Sequence, residues 1–166
     1  LLGKSQPEYD LHEWIIENVF KEQMERSKAK RLFFAWLYGS KSETLEKYRN
    51  QLNEHFETDS LLRKYWDGEY VRNPFNRLME ADGDHALNAL IQSTAAGLSL
   101  RKFIEAANTL PDELAFMIHD SVVFDVSEER VPIVVDRLKE IVENTIYGKM
   151  KVKISVGRNF GEMVKI

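Results

Sequence analysis

Apolar positions recur at helical spacing through the first half of the chain. Asp10 can cap a run from Leu11 to Phe20, and a second run from about Glu22 to Leu37 puts Ala29, Leu32, Phe33, Trp36 and Leu37 on one arc. Gly39 predicts the stop of that helix, Ser42-Glu43 the start of a third, and a fourth passes through Leu61 to Trp66. From Gly68 to Gly83 the periodicity fails around Asn73-Pro74-Phe75-Asn76, which predicts an irregular connector and a boundary between residues 1–80 and 81–166. The second half mixes periods. A helix is expected from about Asp84 to Asn108, then two apolar runs, Leu114–Ile118 and Val122–Val126, meet at His119-Asp120-Ser121 as a hairpin. An amphipathic helix from about Glu128 to Ile146 follows, with Val131, Val134, Leu138, Ile141 and Val142 on one face. Lys149–Val156 then alternates apolar and polar residues as a strand does. The fold class expected is α+β, a helical lobe followed by a mixed one.

Composition narrows this picture little. The 166 residues are 43% hydrophobic and 30% charged with net charge −4, values that suit a folded domain with a core. There is no cysteine, which excludes disulfides, thiolate nucleophiles and Cys-based zinc sites, and the four histidines form no metal-ligand pair. The apolar run that includes Phe33 to Tyr38 is too short to span a bilayer, and Leu1-Leu2-Gly3 lacks the basic region of a signal peptide. The expectation is a cytoplasmic protein without a membrane partner. A first residue of Leu rather than Met suggests processing, a fragment, or one piece of a larger assembly.

Candidate chemistry is concentrated in three places. Arg26, Lys30, Phe34 and Tyr38 stand four apart, so each step turns about 40° and all four share a stripe away from the apolar arc. Lys21 to Arg31 also carries five basic and two acidic residues, a local excess of cations inside an acidic chain. Cations suit phosphates and rings suit a base or sugar, although a solvated basic helix with snorkelling side chains gives the same spacing. On the long helix, Asn88 and Gln92 are two neutral amides beside a dry face, a pairing suited to minor-groove acceptors or equally to ordinary boundary hydrogen bonds. The third place is Asp120, in a hairpin turn without glycine. A carboxylate there can serve a hard divalent cation or stabilise the turn itself, and one carboxylate does not make a two-metal site.

Taken in order, these segments resemble the C-terminal fingers and palm of a family A DNA polymerase, phage-type. The resemblance rests on Arg26, Lys30, Phe34 and Tyr38-Gly39 for the fingers helix, Asn88-Ala89-Leu90-Ile91-Gln92-Ser93-Thr94-Ala95-Ala96 for the long palm helix, and Ile118-His119-Asp120-Ser121 for the palm hairpin. Asp10-Leu11-His12 and the segment Gly157 to Phe160 also have counterparts. The resemblance implies a fingers-like region over 1–80 and a palm-like region over 81–166. It also implies template-directed transfer of dNTPs to a primer 3′-hydroxyl, with Asp120 and Lys30 as catalytic residues. His12, Arg26, Lys30, Phe34 and Tyr38 would bind the nucleotide; Asn88, Gln92, His119 and Arg77 would contact primer-template DNA. Asp120 would ligate metal, two Mg2+ ions serving the complete enzyme. A ring without a hydroxyl at Phe34 implies discrimination against dideoxynucleotides. If phage-encoded, the protein would act in the host cytoplasm.

The chain departs from the family pattern at Ser121, where Glu is usual, at Ser93, where Gly is usual, and at Asp84, where Arg is usual. His-Asp-Ser also resembles single-subunit RNA polymerases, the alternative class. The first palm motif, with the other catalytic Asp, is missing from residues 1 to 11, so an N-terminal polymerase portion or subunit is the expected partner. A non-catalytic DNA-binding module using Lys30, Arg77, Asn88 and the lysines at 149, 151 and 153 is the third reading; those lysines equally suit the protection of an edge strand.

Overall fold

The computed structural model describes residues 10–166; Leu1-Leu2-Gly3 and Pro7 lie outside the described residues. Two compact units emerge, 10–97 and 98–166. The first begins with α1 (Leu11–Ile15), which Asp10 caps by accepting the His12 and Glu13 N–H groups and which runs on into a π-helical turn over Ile16–Phe20. Then come α2 (Arg26–Leu37), α3 (Glu43–Phe56) and α4 (Thr58–Tyr65). All five residues of the predicted α2 arc are buried and meet Ile15, Val19 and Phe20 on one side and Leu45, Tyr48, Leu52 and Phe56 of α3 on the other. Leu45 and Leu52 are fully buried, each contributing about 1.5–3 kcal/mol of transfer free energy. The one polar group Trp36 carries into this core is satisfied, its indole N–H donating to Asn53 Oδ1 at 2.7 Å.

Helix α2 starts later than its sequence pattern suggests. Lys21 adopts a left-handed φ of 52°, and Glu22 turns to α3, accepting from Lys47 Nζ at 2.6 Å and from the Tyr48 hydroxyl. The helical signal before Arg26 therefore loses to tertiary bonds. The connector expected from Gly68 to Gly83 contains a short antiparallel pair, β1 (Tyr70–Arg72) with β2 (Leu78–Glu80). Strands of three residues are too short to show a period. Side-chain bonds fix them instead: Asp67 Oδ1 accepts from Glu69 and Tyr70 N–H, and Asn73 Oδ1 accepts from Phe75 and Arg77 N–H. Val71 of β1 packs with Ala81, Ala86 and Leu90 in a second small core, with Trp66 beside it.

Helix α5 (Ala86–Thr109) gives its first half to this unit and its second half to the next. The second unit continues with β3 (Leu114–Ile118) and β4 (Ser121–Phe124), antiparallel with Ile118 opposite Ser121. The hairpin is the expected one, closed by His119-Asp120 alone. Helix α6 (Val131–Glu143), opened by a 3-10 turn and Pro132, buries Val134, Val135 and Ile141. It ends before Ile146 because Asn144–Thr145 (β5) folds back on Gly148–Lys149 (β6), Gly148 taking φ 101°. The strand expected over Lys149–Val156 is not continuous. Ladder pairing is confined to Lys149 and to Ser155–Val156 (β7), which pairs with Val164–Lys165 (β8). The alternation survives as burial, with Val152, Ile154 and Val156 half-buried between exposed neighbours. The architecture is α+β, as expected.

Candidate functional site

The sequence stripe is a surface. Arg26, Lys30, Phe34 and Tyr38 are exposed along α2, Phe34 to 36% and Tyr38 to 51%, while their neighbours on the apolar arc are buried. The Phe34 and Tyr38 rings lie nearly parallel with centroids 6.3 Å apart, and Lys30 Nζ stands 5.9 Å from the Phe34 centroid, within cation–π reach. His12, on α1, brings its imidazole to 6.0 Å from both Phe33 and Phe34. Two cations, two exposed rings and an imidazole thus belong to one packed pair of helices.

Electrostatics tie the cluster together through Asp10. Its Oδ2 accepts from Arg26 Nη2 at 2.6 Å, while its Oδ1 caps α1. The Arg26 hydrogen bond is the main force lowering the Asp10 carboxyl to about 2, helped by the His12 and Glu13 amides and opposed by partial burial. Burial is the first cause depressing His12, with the Arg26 and Lys30 charges pushing the same way and Asp10 against them. His12 is therefore a neutral imidazole at pH 7, and its Nδ1 is buried without a hydrogen-bond partner among the described residues. Sequence reasoning gave Asp10 only the role of a cap. Nothing in the spacing of residues 10 and 26 announces their bond, because it depends on how α1 packs on α2.

At the end of α2 the chain turns sharply. Gly39 has φ +73°, and a Cβ there would lie 2.2 Å from the carbonyl oxygen of Asp84, whose carboxylate also pairs with Lys41 at 2.5 Å. In the same unit, Asn88 is half-buried on α5 with its Oδ1 unpartnered among the described residues, and Gln92 is exposed one turn on. Of Leu87, Leu90, Ile91, Thr94 and Leu98, whose spacing marks the dry face, all are buried except Ile91, which is half-buried, and the Ser93 and Thr94 hydroxyls bond back to Leu90 O. Arg77 is exposed where the β1–β2 connection ends. Its N–H is anchored to Asn73, a residue only 2% exposed, and Phe75 of the same turn packs so close to α5 that a Cβ on Gly97 would sit 2.7 Å from its ring.

In the second unit, His119 and Asp120 are exposed in the two-residue β3–β4 turn, His119 in the left-handed region at φ 51°. Asp120 adjoins a cleft of about 560 Å³ lined by Val122, Val134, Val135, Val152 and Val156. No cluster of three or more His, Cys, Asp or Glu side chains able to hold a metal exists among the described residues. Asp120 is a single candidate ligand for magnesium, and the described residues do not complete a two-ion site around it.

In the first unit α2 presents cations and rings and α5 presents amides, and in the second the β3–β4 turn presents a carboxylate. A family comparison makes this particular. Residues 45–164 match the model of DNA polymerase family A, and the chain belongs to that family. The matched span contains Arg77, Asn88, Gln92, His119 and Asp120, and it begins after the α2 stripe. No curated protein matches the chain. Membership supports DNA polymerase activity in general, with template-primer DNA and dNTPs as ligands; family A enzymes generally use Mg2+. No helix among the described residues is long and apolar enough to cross a membrane.

Proposed function

We propose that the chain is the fingers-like (1–80) and palm-like (81–166) portion of a phage-type, DNA-directed DNA polymerase that joins a dNTP to a primer 3′-hydroxyl. The observation that carries the proposal is the α2 face, where Arg26, Lys30, Phe34 and Tyr38 are exposed together with His12 beside Phe34. Arg26 and Lys30 take the triphosphate through charge-assisted bonds, with Lys30 placed to stabilise charge as pyrophosphate departs. His12, whose imidazole burial holds below its ordinary pKa in the free chain, hydrogen-bonds to the same triphosphate. Phe34 and Tyr38 take the sugar and base by stacking, and Phe34, without a hydroxyl, favours deoxynucleotides over dideoxynucleotides. Asn88, Gln92 and His119 meet minor-groove acceptors, and Arg77 meets a template phosphate.

Asp120 supplies one carboxylate for magnesium, and an N-terminal polymerase portion supplies the second. Magnesium, when bound, lowers the pKa of the attacking hydroxyl and neutralises the leaving phosphates. Primer extension with Mg2+ tests the reading. Extension with dNTPs in preference to ribonucleotides is expected when the chain is combined with an N-terminal portion carrying the second palm aspartate, and it is lost in Asp120→Ala. Preference for ribonucleotides would assign the chain instead to the single-subunit RNA polymerases, whose His-Asp-Ser turn it shares. DNA binding that does not respond to a matched dNTP would leave a passive DNA-binding module.

A further inference from the structure

Asp10 lies outside the stripe, yet its carboxylate joins α1 to α2, the helix that carries it. Oδ1 accepts from the His12 and Glu13 N–H groups at 2.9 and 3.3 Å, fixing the start of α1, and Oδ2 accepts from Arg26 Nη2 at 2.6 Å, fixing the first side chain of α2. We propose that Asp10 is a positioning residue for nucleotide binding, its carboxylate holding the Arg26 guanidinium in register with His12 so that both meet one phosphate-bearing ligand. This rests on the assignment of the α2 face to the nucleotide.

Arg26 gives a single terminal nitrogen, Nη2, to Asp10, so its Nε–H and Nη1–H groups remain as donors for phosphate oxygens. A half-exposed arginine without a partner would lose rotamer freedom on meeting the ligand, a cost the Asp10 bond removes beforehand. Against this stands repulsion between the carboxylate and a triphosphate. That repulsion acts at a distance through screening solvent, whereas the Asp10–Arg26 bond is a direct contact at 2.6 Å, and the sign of the change in Asp10→Ser measures which prevails. The carboxylate is ionised throughout the working pH range, with its carboxyl held near 2, so the hold is permanent and not a pH switch.

The test is titration of the full chain with a fluorescent N-methylanthraniloyl dATP in Mg2+. Asp10→Ser keeps a capping oxygen for α1 but cannot reach Arg26, so the chain stays folded with only the modest drop in melting temperature that loss of a part-exposed ion pair entails, while binding weakens about tenfold. Arg26→Ala weakens binding as well, and the double variant binds no worse than Arg26→Ala alone, because Asp10 acts through Arg26. A merely structural Asp10 would make the two losses multiply. Multiplying losses, or native or tighter binding by Asp10→Ser, would overturn the proposal. Should Asp10→Ser unfold, Asp10→Asn, which keeps both the cap and the volume, is expected to show the same non-additive loss. Native binding by both Arg26→Ala and Lys30→Ala would overturn the nucleotide assignment itself, an outcome separate from failure at Asp10 alone.

Discussion

Replacing Gly39 by alanine perturbs the point where α2 ends against the turn before α5. Two costs add. Gly39 sits at φ +73°, where a Cβ costs an L residue about 1–2 kcal/mol. The new Cβ would also lie 2.2 Å from the Asp84 carbonyl oxygen, about 1 Å inside ordinary contact, and the overlap falls on backbone that cannot rotate away, at about 1–3 kcal/mol for such overpacking. The expected loss is about 2–5 kcal/mol. Gly68→Ala, at φ +108° with nothing within 4 Å, shows in the same unit what an unfavourable backbone conformation costs without a clash. Urea unfolding at constant m measures both variants. A loss for Gly39→Ala no larger than the about 1–2 kcal/mol of its left-handed conformation alone would refute the close approach of Asp84 to the end of α2.

Three further outcomes are expected. Leu52→Ala, which empties a fully buried site between α3 and α2, destabilises the chain by about 2–5 kcal/mol in the same urea experiment. Asp10 has its folded pKa lowered from 3.8 to about 2, so the stability it contributes is present above the unfolded value and is lost as pH falls through the folded one. The melting-temperature gap between native chain and Asp10→Asn is therefore constant above pH 5 and closes between about pH 4 and pH 2; a gap independent of pH would contradict the Arg26 bond. Asp120→Ala, at an exposed two-residue turn, leaves the melting temperature within about a degree of native while abolishing primer extension by the assembled enzyme. A large loss of stability would give Asp120 a structural role instead.

Elements long enough to express a period were legible before any coordinates. The buried arc of α2, the dry side of α5 and the β3–β4 hairpin are where their patterns put them, because each rests on local spacing. The errors fall where tertiary bonds outweigh the local signal. Glu22 leaves its helix for Lys47 and Tyr48, Asn144–Thr145 leaves α6 for Gly148–Lys149, and three-residue strands hide inside a connector shaped by Asp67 and Asn73. The stripe of Arg26, Lys30, Phe34 and Tyr38 was readable as one face, whereas the Asp10–Arg26 bond and the unpartnered His12 Nδ1 were not. Both depend on the packing of α1 against α2, which no spacing encodes.

The α2 face as the nucleotide site is tested most directly by NMR titration of the labelled chain with dATP and Mg2+, following amide shifts residue by residue. The account predicts saturable shifts confined to α1 and α2, largest around His12, Arg26, Lys30, Phe34 and Tyr38, and lost in Lys30→Ala. Shifts centred on other elements, or none at concentrations that saturate a polymerase, would contradict it.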